Sequence, residues 1–276
     1  MTIIASLLRA ANTLHSPTAR LDVELLLSAI LGKSRSYLHT WPEKIVCGED
    51  VETFTNNLQR RRTGEPVAYI LGQQFFWKLD LEVTPHTLIP RPETELLVDA
   101  ALELPLLDPV KLLDLGTGSG AIALALASER QAWHVTAVDR VLEAVALAER
   151  NRQRLHLKNA TVLNSYWFSA LQGHTFDLIV SNPPYIAGND PHLLSGDVRF
   201  EPASALVAGH DGLEDLRVII TKSVVYLNVD GWLLLEHGYN QAVIVRDLLL
   251  SEGFEDVHSR MDLGGHERIT LGRRPY

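Results

Sequence analysis

The spacing of apolar positions changes twice along the chain. Over residues 1–70 it is helical: apolar side chains cluster over 21–31 behind Ser16 and Pro17, read as N-cap and first helical residue, and Gly32 supplies the stop. A second helix is predicted over 50–63, ending at Gly64. Short helices joined by short loops make this region a small helical bundle, a packing or partner-docking module without a catalytic constellation. Arg60, Arg61 and Arg62 read as solvated cations near the negative end of that second helix. Between Tyr69 and Leu88 the spacing shifts to partial alternation through Phe75, Phe76, Trp77, Leu79, Leu81 and Val83, which predicts a β-hairpin over 71–88 linking two domains.

The domain over 89–276 has a third pattern. Ile89, Pro90, Arg91, Pro92, Glu93, Thr94 and Glu95 open a helix running to about 104, with Pro92 in its first turn and acidic residues at its positive end. From Val110 onward, apolar strands over 111–115, 134–138, 160–163, 176–180 and 231–236 alternate with helices over 121–128, 141–155, 213–227 and 239–252. That alternation implies an α/β fold, a parallel sheet covered on both faces. Two late strands near 255–259 and 268–272 are too close for a parallel crossover, so they form an antiparallel pair turning at Gly264 and Gly265.

Two loops carry the candidate chemistry. After the first parallel strand come Asp114, Leu115, Gly116, Thr117, Gly118, Ser119, Gly120 and Ala121. Glycines let the backbone turn tightly and approach a ligand, and the next helix presents free N–H groups. The spacing also satisfies the dinucleotide fingerprint, so by itself it leaves a nicotinamide cofactor open. Asp139, at the end of the next strand, can accept hydrogen bonds from ribose hydroxyls. Asp114 favours the other option: beside a pyrophosphate it would repel, whereas the sulfonium and ammonium of S-adenosylmethionine would attract it.

The second loop is Asn182, Pro183, Pro184 and Tyr185, directly after Ser181. Consecutive prolines cannot continue a strand ladder, so the chain leaves the sheet as a stiff elbow. An amide and a phenol ring on a rigid turn can grip a planar hydrogen-bonding group; an adenine amino group and a carboxamide both qualify.

Composition narrows the field. With 46% apolar and 21% charged residues the chain is an ordinary globular sequence, and its net charge of −9 argues against holding nucleic acid chiefly through phosphate neutralisation. One cysteine, Cys47, excludes an intrachain disulfide and thiolate clusters, and no His-Glu-x-x-His occurs, so no metal is expected. The start lacks the basic region of a secretory signal and apolar runs fall short of the ~20 residues of a membrane span. A cytoplasmic monomer is expected.

The loop from Asp114 to Gly120, Asp139 and the Asn182-Pro183-Pro184-Tyr185 elbow resemble the class I S-adenosylmethionine-dependent methyltransferases that act on planar nitrogens. Within them the chain is similar to the peptide-chain release factor glutamine methyltransferases. Further matches are the stretch from Ile89 to Glu95, Trp167-Phe168-Ser169-Ala170-Leu171, Asp197-Val198-Arg199-Phe200-Glu201-Pro202 and Leu233-Leu234-Leu235-Glu236-His237-Gly238. The resemblance implies a Rossmann-like seven-stranded sheet with its last strand antiparallel, an N-terminal substrate-docking domain, and methyl transfer to the glutamine N5 of the Gly-Gly-Gln loop of release factors. It further implies that Asp114, Gly116, Thr117, Gly118, Ser119, Gly120, Asp139, Trp167 and Asn182 hold the methyl donor. Asn182, Pro183, Pro184 and Tyr185 would hold the acceptor, with Asn182, Pro183 and Tyr185 catalytic. Related enzymes commonly carry an acidic residue before the tryptophan, where this chain has Tyr166. Glu236 and His237 are read as structural, and Arg199 and Glu201 as bordering the substrate channel or forming a loop salt bridge. An adenine-N6 DNA or RNA methyltransferase stays open as an alternative, as does a nicotinamide-binding oxidoreductase, which leaves the elbow unexplained.

Overall fold

The computed structural model describes residues 1–275, and the chain divides into two compact units, Met1–Gln73 with Leu194–Phe200, and Gln74–Leu193 with Glu201–Tyr276. The first unit holds five helices, α1 (Ile4–Leu8), α2 (Ala19–Leu31), α3 (Arg35–Thr40), α4 (Gly48–Arg62) and α5 (Val67–Leu71). Val23, Leu26 and Leu27 of α2 meet Phe54 and Leu58 of α4 in its core, a stripe at helical spacing. Gly32 ends α2 in the left-handed region at φ 59°, as its residue type predicts.

Two expectations in this unit need correction. Helix α2 starts at Ala19 instead of Pro17, because the Ser16 hydroxyl donates to Asp22 Oδ2 at 3.0 Å and accepts from the Thr18 N–H at 3.2 Å in the turn ahead of the helix. Arg61 is buried instead of solvated. Its Nε donates to Asp22 Oδ2 at 2.8 Å and its Nη1 to Asp197 Oδ1 at 2.8 Å, fastening the 194–200 segment onto this unit. Arg199 of the same segment donates to the Thr63 carbonyl at 2.8 Å.

A hairpin of β1 (Gln73–Phe76) and β2 (Leu79–Glu82) follows, turning through Trp77 at φ 59°. The remaining elements are α6 (Glu95–Leu102), β3 (Lys111–Leu115), α7 (Ala121–Glu129), β4 (His134–Asp139), α8 (Leu142–Arg154), β5 (Ala160–Asn164), β6 (Phe176–Ser181), α9 (Glu214–Tyr226), β7 (Leu227–Glu236), α10 (Ala242–Ser251), β8 (Glu255–Met261) and β9 (Glu267–Arg273). Helix α6 is shorter than predicted, because residues Pro92–Thr94 form a separate 3-10 turn before it.

Strands β3 to β9 form one seven-stranded sheet in the order β5-β4-β3-β6-β7-β9-β8, parallel except for β9, which runs antiparallel to β7 and β8. This is the sheet the resemblance implies. Side chains alternate between its faces: Leu112, Leu178 and Leu234 pack with α6 and α7, whereas Leu113, Ile179 and Leu233 pack with α9 and α10. From β3 the chain moves outward through β4 and β5, then returns to β6 on the other side. The switch point therefore lies between β3 and β6, where open α/β sheets form a crevice at their carboxyl ends.

Candidate active site

The two loops singled out in the sequence leave the sheet side by side. Leu115 and Ser181 are register partners, so Gly116 and Asn182 each begin the departure from neighbouring strands. The Ser181 hydroxyl donates to the Leu115 carbonyl at 2.7 Å and ties the two exits together. A cavity of about 880 Å³, counting its open mouth, lies beyond them.

The glycine loop is built by backbone contacts. The N–H groups of Gly116 and Thr117 both donate to the Val138 carbonyl at 2.9 Å, and the Gly118 N–H donates to Asp139 Oδ2 at 2.9 Å. Asp139 Oδ1 accepts from Val141 N at 2.9 Å, so one carboxylate anchors the loop and the start of α8. Burial pushes its pKa up, against the pull of those N–H groups. Gly116 sits at φ 73°, and a Cβ there would lie 3.3 Å from Cζ3 of Trp167, so the bare backbone leaves room for the indole. Trp167 reaches that place through its own left-handed backbone at φ 51°, in a turn where Ser165 donates to the Trp167 carbonyl at 2.8 Å.

Gly116, Thr117, Gly118, Ser119, Asp139, Trp167, Asn182 and Pro184 all line the cavity, as do Thr87, Thr94 and Tyr166. Asp114, Gly120, Pro183 and Tyr185 stand outside that lining. Asp114 is fully buried behind the loop and accepts from the Thr117 hydroxyl at 2.6 Å; burial pushes its carboxyl up to about 7, and nearby Asp139 adds to the rise. Gly120 caps α7 at φ 88°. Tyr166 is half exposed with the Arg140 guanidinium 5.9 Å from its ring centre.

The elbow is held at both ends. Asn182 Nδ2 donates to Thr94 Oγ1 at 3.2 Å, and the Tyr185 hydroxyl points at Glu236 Oε1 at 3.4 Å. Gln241 Nε2 donates to the Tyr185 carbonyl at 3.1 Å and to the Gly212 carbonyl at 3.2 Å. Thus Glu236, read from the sequence as structural, meets the elbow. Its position at the tip of β7 beside the elbow strand was the available signal, and strand order was needed to read it. His237 is structural as expected: it is buried between the Gly238 carbonyl and the Thr270 hydroxyl. Glu201 is buried and accepts from Ile89 N at 3.0 Å and Arg91 Nη2 at 2.5 Å, so its ion pair is with Arg91. Sequence reasoning missed Asn151, whose buried amide donates to the carbonyls of Ser119 and Glu82 and accepts from Glu82 N at 2.8 Å. It stitches the hairpin to the glycine loop, and nothing in a helical Asn marks that role in advance.

Residues 2–72 match the PrmC N-terminal domain and residues 92–208 the methyltransferase small domain. The release factor glutamine methyltransferase of Pseudomonas aeruginosa is 64% identical to this chain, with 99% of each chain covered. The chain belongs to the release factor glutamine methyltransferase family. The Escherichia coli member is 50% identical over 94% of this chain and 93% of its own. A methyltransferase from Pyrococcus furiosus shares the fold, with a TM-score of 0.57, 19% identity and coverage of 80% of this chain and all of that one. Among the described residues no helix is long and apolar enough to cross a membrane.

Proposed function

We propose that the protein transfers the methyl group of S-adenosylmethionine to the side-chain amide N5 of the glutamine in the Gly-Gly-Gln loop of peptide-chain release factors. The observation that carries the reading is the adjacency of the glycine loop after β3 and the Asn182-Pro183-Pro184-Tyr185 elbow after β6, beside one cavity. The residues present fit the donor. The bare Gly116 backbone faces the Trp167 ring, Asp139 supplies acceptors for ribose hydroxyls, and apolar Ile122 and Ala144 line the cavity. When bound, the donor supplies an electrophilic methyl group on a sulfonium.

The chain's own residues supply alignment. An amide nitrogen is a poor nucleophile because its lone pair is delocalised. Asn182 Oδ1 and the Pro183 carbonyl accept its two N–H bonds, orienting the nitrogen and favouring a more pyramidal geometry, while Tyr185 packs against the amide plane. Alignment of this kind can contribute on the order of 7–11 kcal/mol. As the N–C bond forms and the S–C bond breaks, the nitrogen becomes cationic and then loses its proton, so no strong base is needed beforehand. Asp114 acts from behind, holding Thr117 in the loop. The helical unit supplies the docking surface for the protein substrate, and the enzyme works as a cytoplasmic monomer without direct contact to nucleic acid.

The test is methyl transfer from labelled donor to purified release factor, free glutamine and duplex DNA in separate reactions. Label on the release factor is expected. Label on DNA but not on the release factor would instead support the adenine-directed alternative.

A further inference from the structure

We propose that Asn151 is a positioning residue of the methyl-donor site: its buried amide holds two adjoining walls of the cavity, the glycine loop and the turn after β2, in the relation that the donor's fit requires. The inference rests on the reading of the glycine loop as the donor's seat.

Asn151 belongs to α8, is fully buried and stands outside the cavity lining. Its Nδ2 donates to the Ser119 carbonyl at 2.9 Å and to the Glu82 carbonyl at 3.0 Å, and its Oδ1 accepts from the Glu82 N–H at 2.8 Å. Two carbonyls and one N–H call for two donors and one acceptor on a short side chain. That is the inventory of an asparagine amide, and these partners admit only one orientation of it.

Each partner leads to the cavity. Ser119 is a buried residue of the glycine loop and lines it directly. Glu82 ends β2, and a few residues on, His86, Thr87 and Leu88 line the cavity as well. The intervening turn is closed by the Thr87 N–H donating to the Thr84 carbonyl at 3.2 Å. It sets Thr87 against the glycine loop, since a Cβ on Gly118 would lie 3.9 Å from the Thr87 Cβ. Arg150 and Arg154 of α8 also hold the hairpin, through the Glu82 carboxylate at 2.8 Å and the Asp80 carbonyl. Of the three, Asn151 is the one that also bonds the glycine loop.

Without the amide, the Ser119 carbonyl is left buried without that donor, which is costly. The loop can relieve the cost by turning the Ser119 peptide, and the lining residues Gly118 and Ser119 move with it. The loss should fall on donor binding more than on transfer. The elbow is built after β6, and its bonds to Thr94 and Gln241 do not pass through α8.

The test compares wild type with Asn151→Asp, Asn151→Ser and Arg150→Ala. Affinity for S-adenosylmethionine is measured by calorimetry, folding by thermal midpoint, and kcat with labelled donor and release factor. Asn151→Asp keeps the size and the acceptor but turns lone pairs toward both carbonyls. Its donor affinity should fall by about tenfold or more, as for a buried acceptor left unpaired, with kcat at saturating donor within about threefold. Arg150→Ala, which cuts an exposed tie between the same helix and hairpin, should keep donor affinity within about twofold. If Asn151→Asp fails to fold, Asn151→Ser decides, because its smaller side chain leaves room for a bridging water; its donor affinity should fall severalfold below that of Arg150→Ala. A lowered thermal midpoint with unchanged donor affinity in the folded Asn151 variants would mean a role in the fold alone and overturns the inference, as does a loss confined to kcat. Failure of the wild type to bind the donor overturns the reading of the cavity, and the inference with it.

Discussion

The Ser181 hydroxyl donates to the Leu115 carbonyl at 2.7 Å, joining the last residues of β6 and β3 where the glycine loop and the Asn182-Pro183-Pro184-Tyr185 elbow begin. Because these strands are hydrogen-bonded neighbours, the separation of glycine loop and elbow is set by the sheet, whose strands sit about 4.8 Å apart. A rigid spacing suits a reaction whose main requirement is alignment of donor and acceptor.

Asn182→Ala removes the side-chain acceptor while leaving the prolines and the glycine loop in place. Methyl transfer to release factor should fall by about a hundredfold or more, as for loss of a positioned polar group in catalysis. Donor affinity by calorimetry should stay near wild type. Near-normal turnover would contradict the assigned grip.

Asp139→Ala should act on the other side of the site. It removes the acceptor that holds the N–H groups of Gly118 and Val141, together with the ribose acceptor. Calorimetry should show donor affinity weakened by about tenfold or more, the scale of charge-assisted hydrogen bonds. Unchanged affinity would take Asp139 out of the donor site.

Arg61→Met tests the buried ion pair of the helical unit. Both side chains of the Arg61–Asp22 pair are 7% exposed, so removing the cation strands a buried carboxylate. The loss in urea-unfolding free energy should be about 3–5 kcal/mol. A loss similar to that of an exposed pair, about 1 kcal/mol or less, would mean that Asp22 finds another partner.

The pH dependence of stability should carry a signature of Glu236. Its folded pKa, about 7, lies above the ordinary 4.5, so the folded state holds the proton more tightly. Its contribution is therefore present at low pH and is lost as pH rises from about 4.5 to about 7. Relative to wild type, Glu236→Gln should gain roughly 1–2 kcal/mol between pH 5.5 and 7.5 in urea unfolding, reflecting about 1.4 kcal/mol per pH unit. A constant difference across that range would contradict the assigned rise.

The sequence determined by itself whatever depends on neighbours along the chain. Short apolar runs over 111–115 and 176–180 specified buried strands, Pro183 and Pro184 specified a stiff exit, and Gly116, Gly118 and Gly120 specified a tight loop, found at positive φ. Helix stops at Gly32 and Gly64 were legible for the same reason, whereas the Ser16-Pro17 start was not, since Ser16 bonds Asp22 and Arg61 in space. Only the tertiary structure decided what strand order and burial control. It set Glu236 beside Tyr185 and Thr94 beside Asn182, 88 residues away in sequence; it drew Asp114 behind the glycine loop and buried one arginine of three. Residue periodicity and turn chemistry are local, while a hydrogen-bond partner contributed by another strand tip is fixed only when the sheet closes its order.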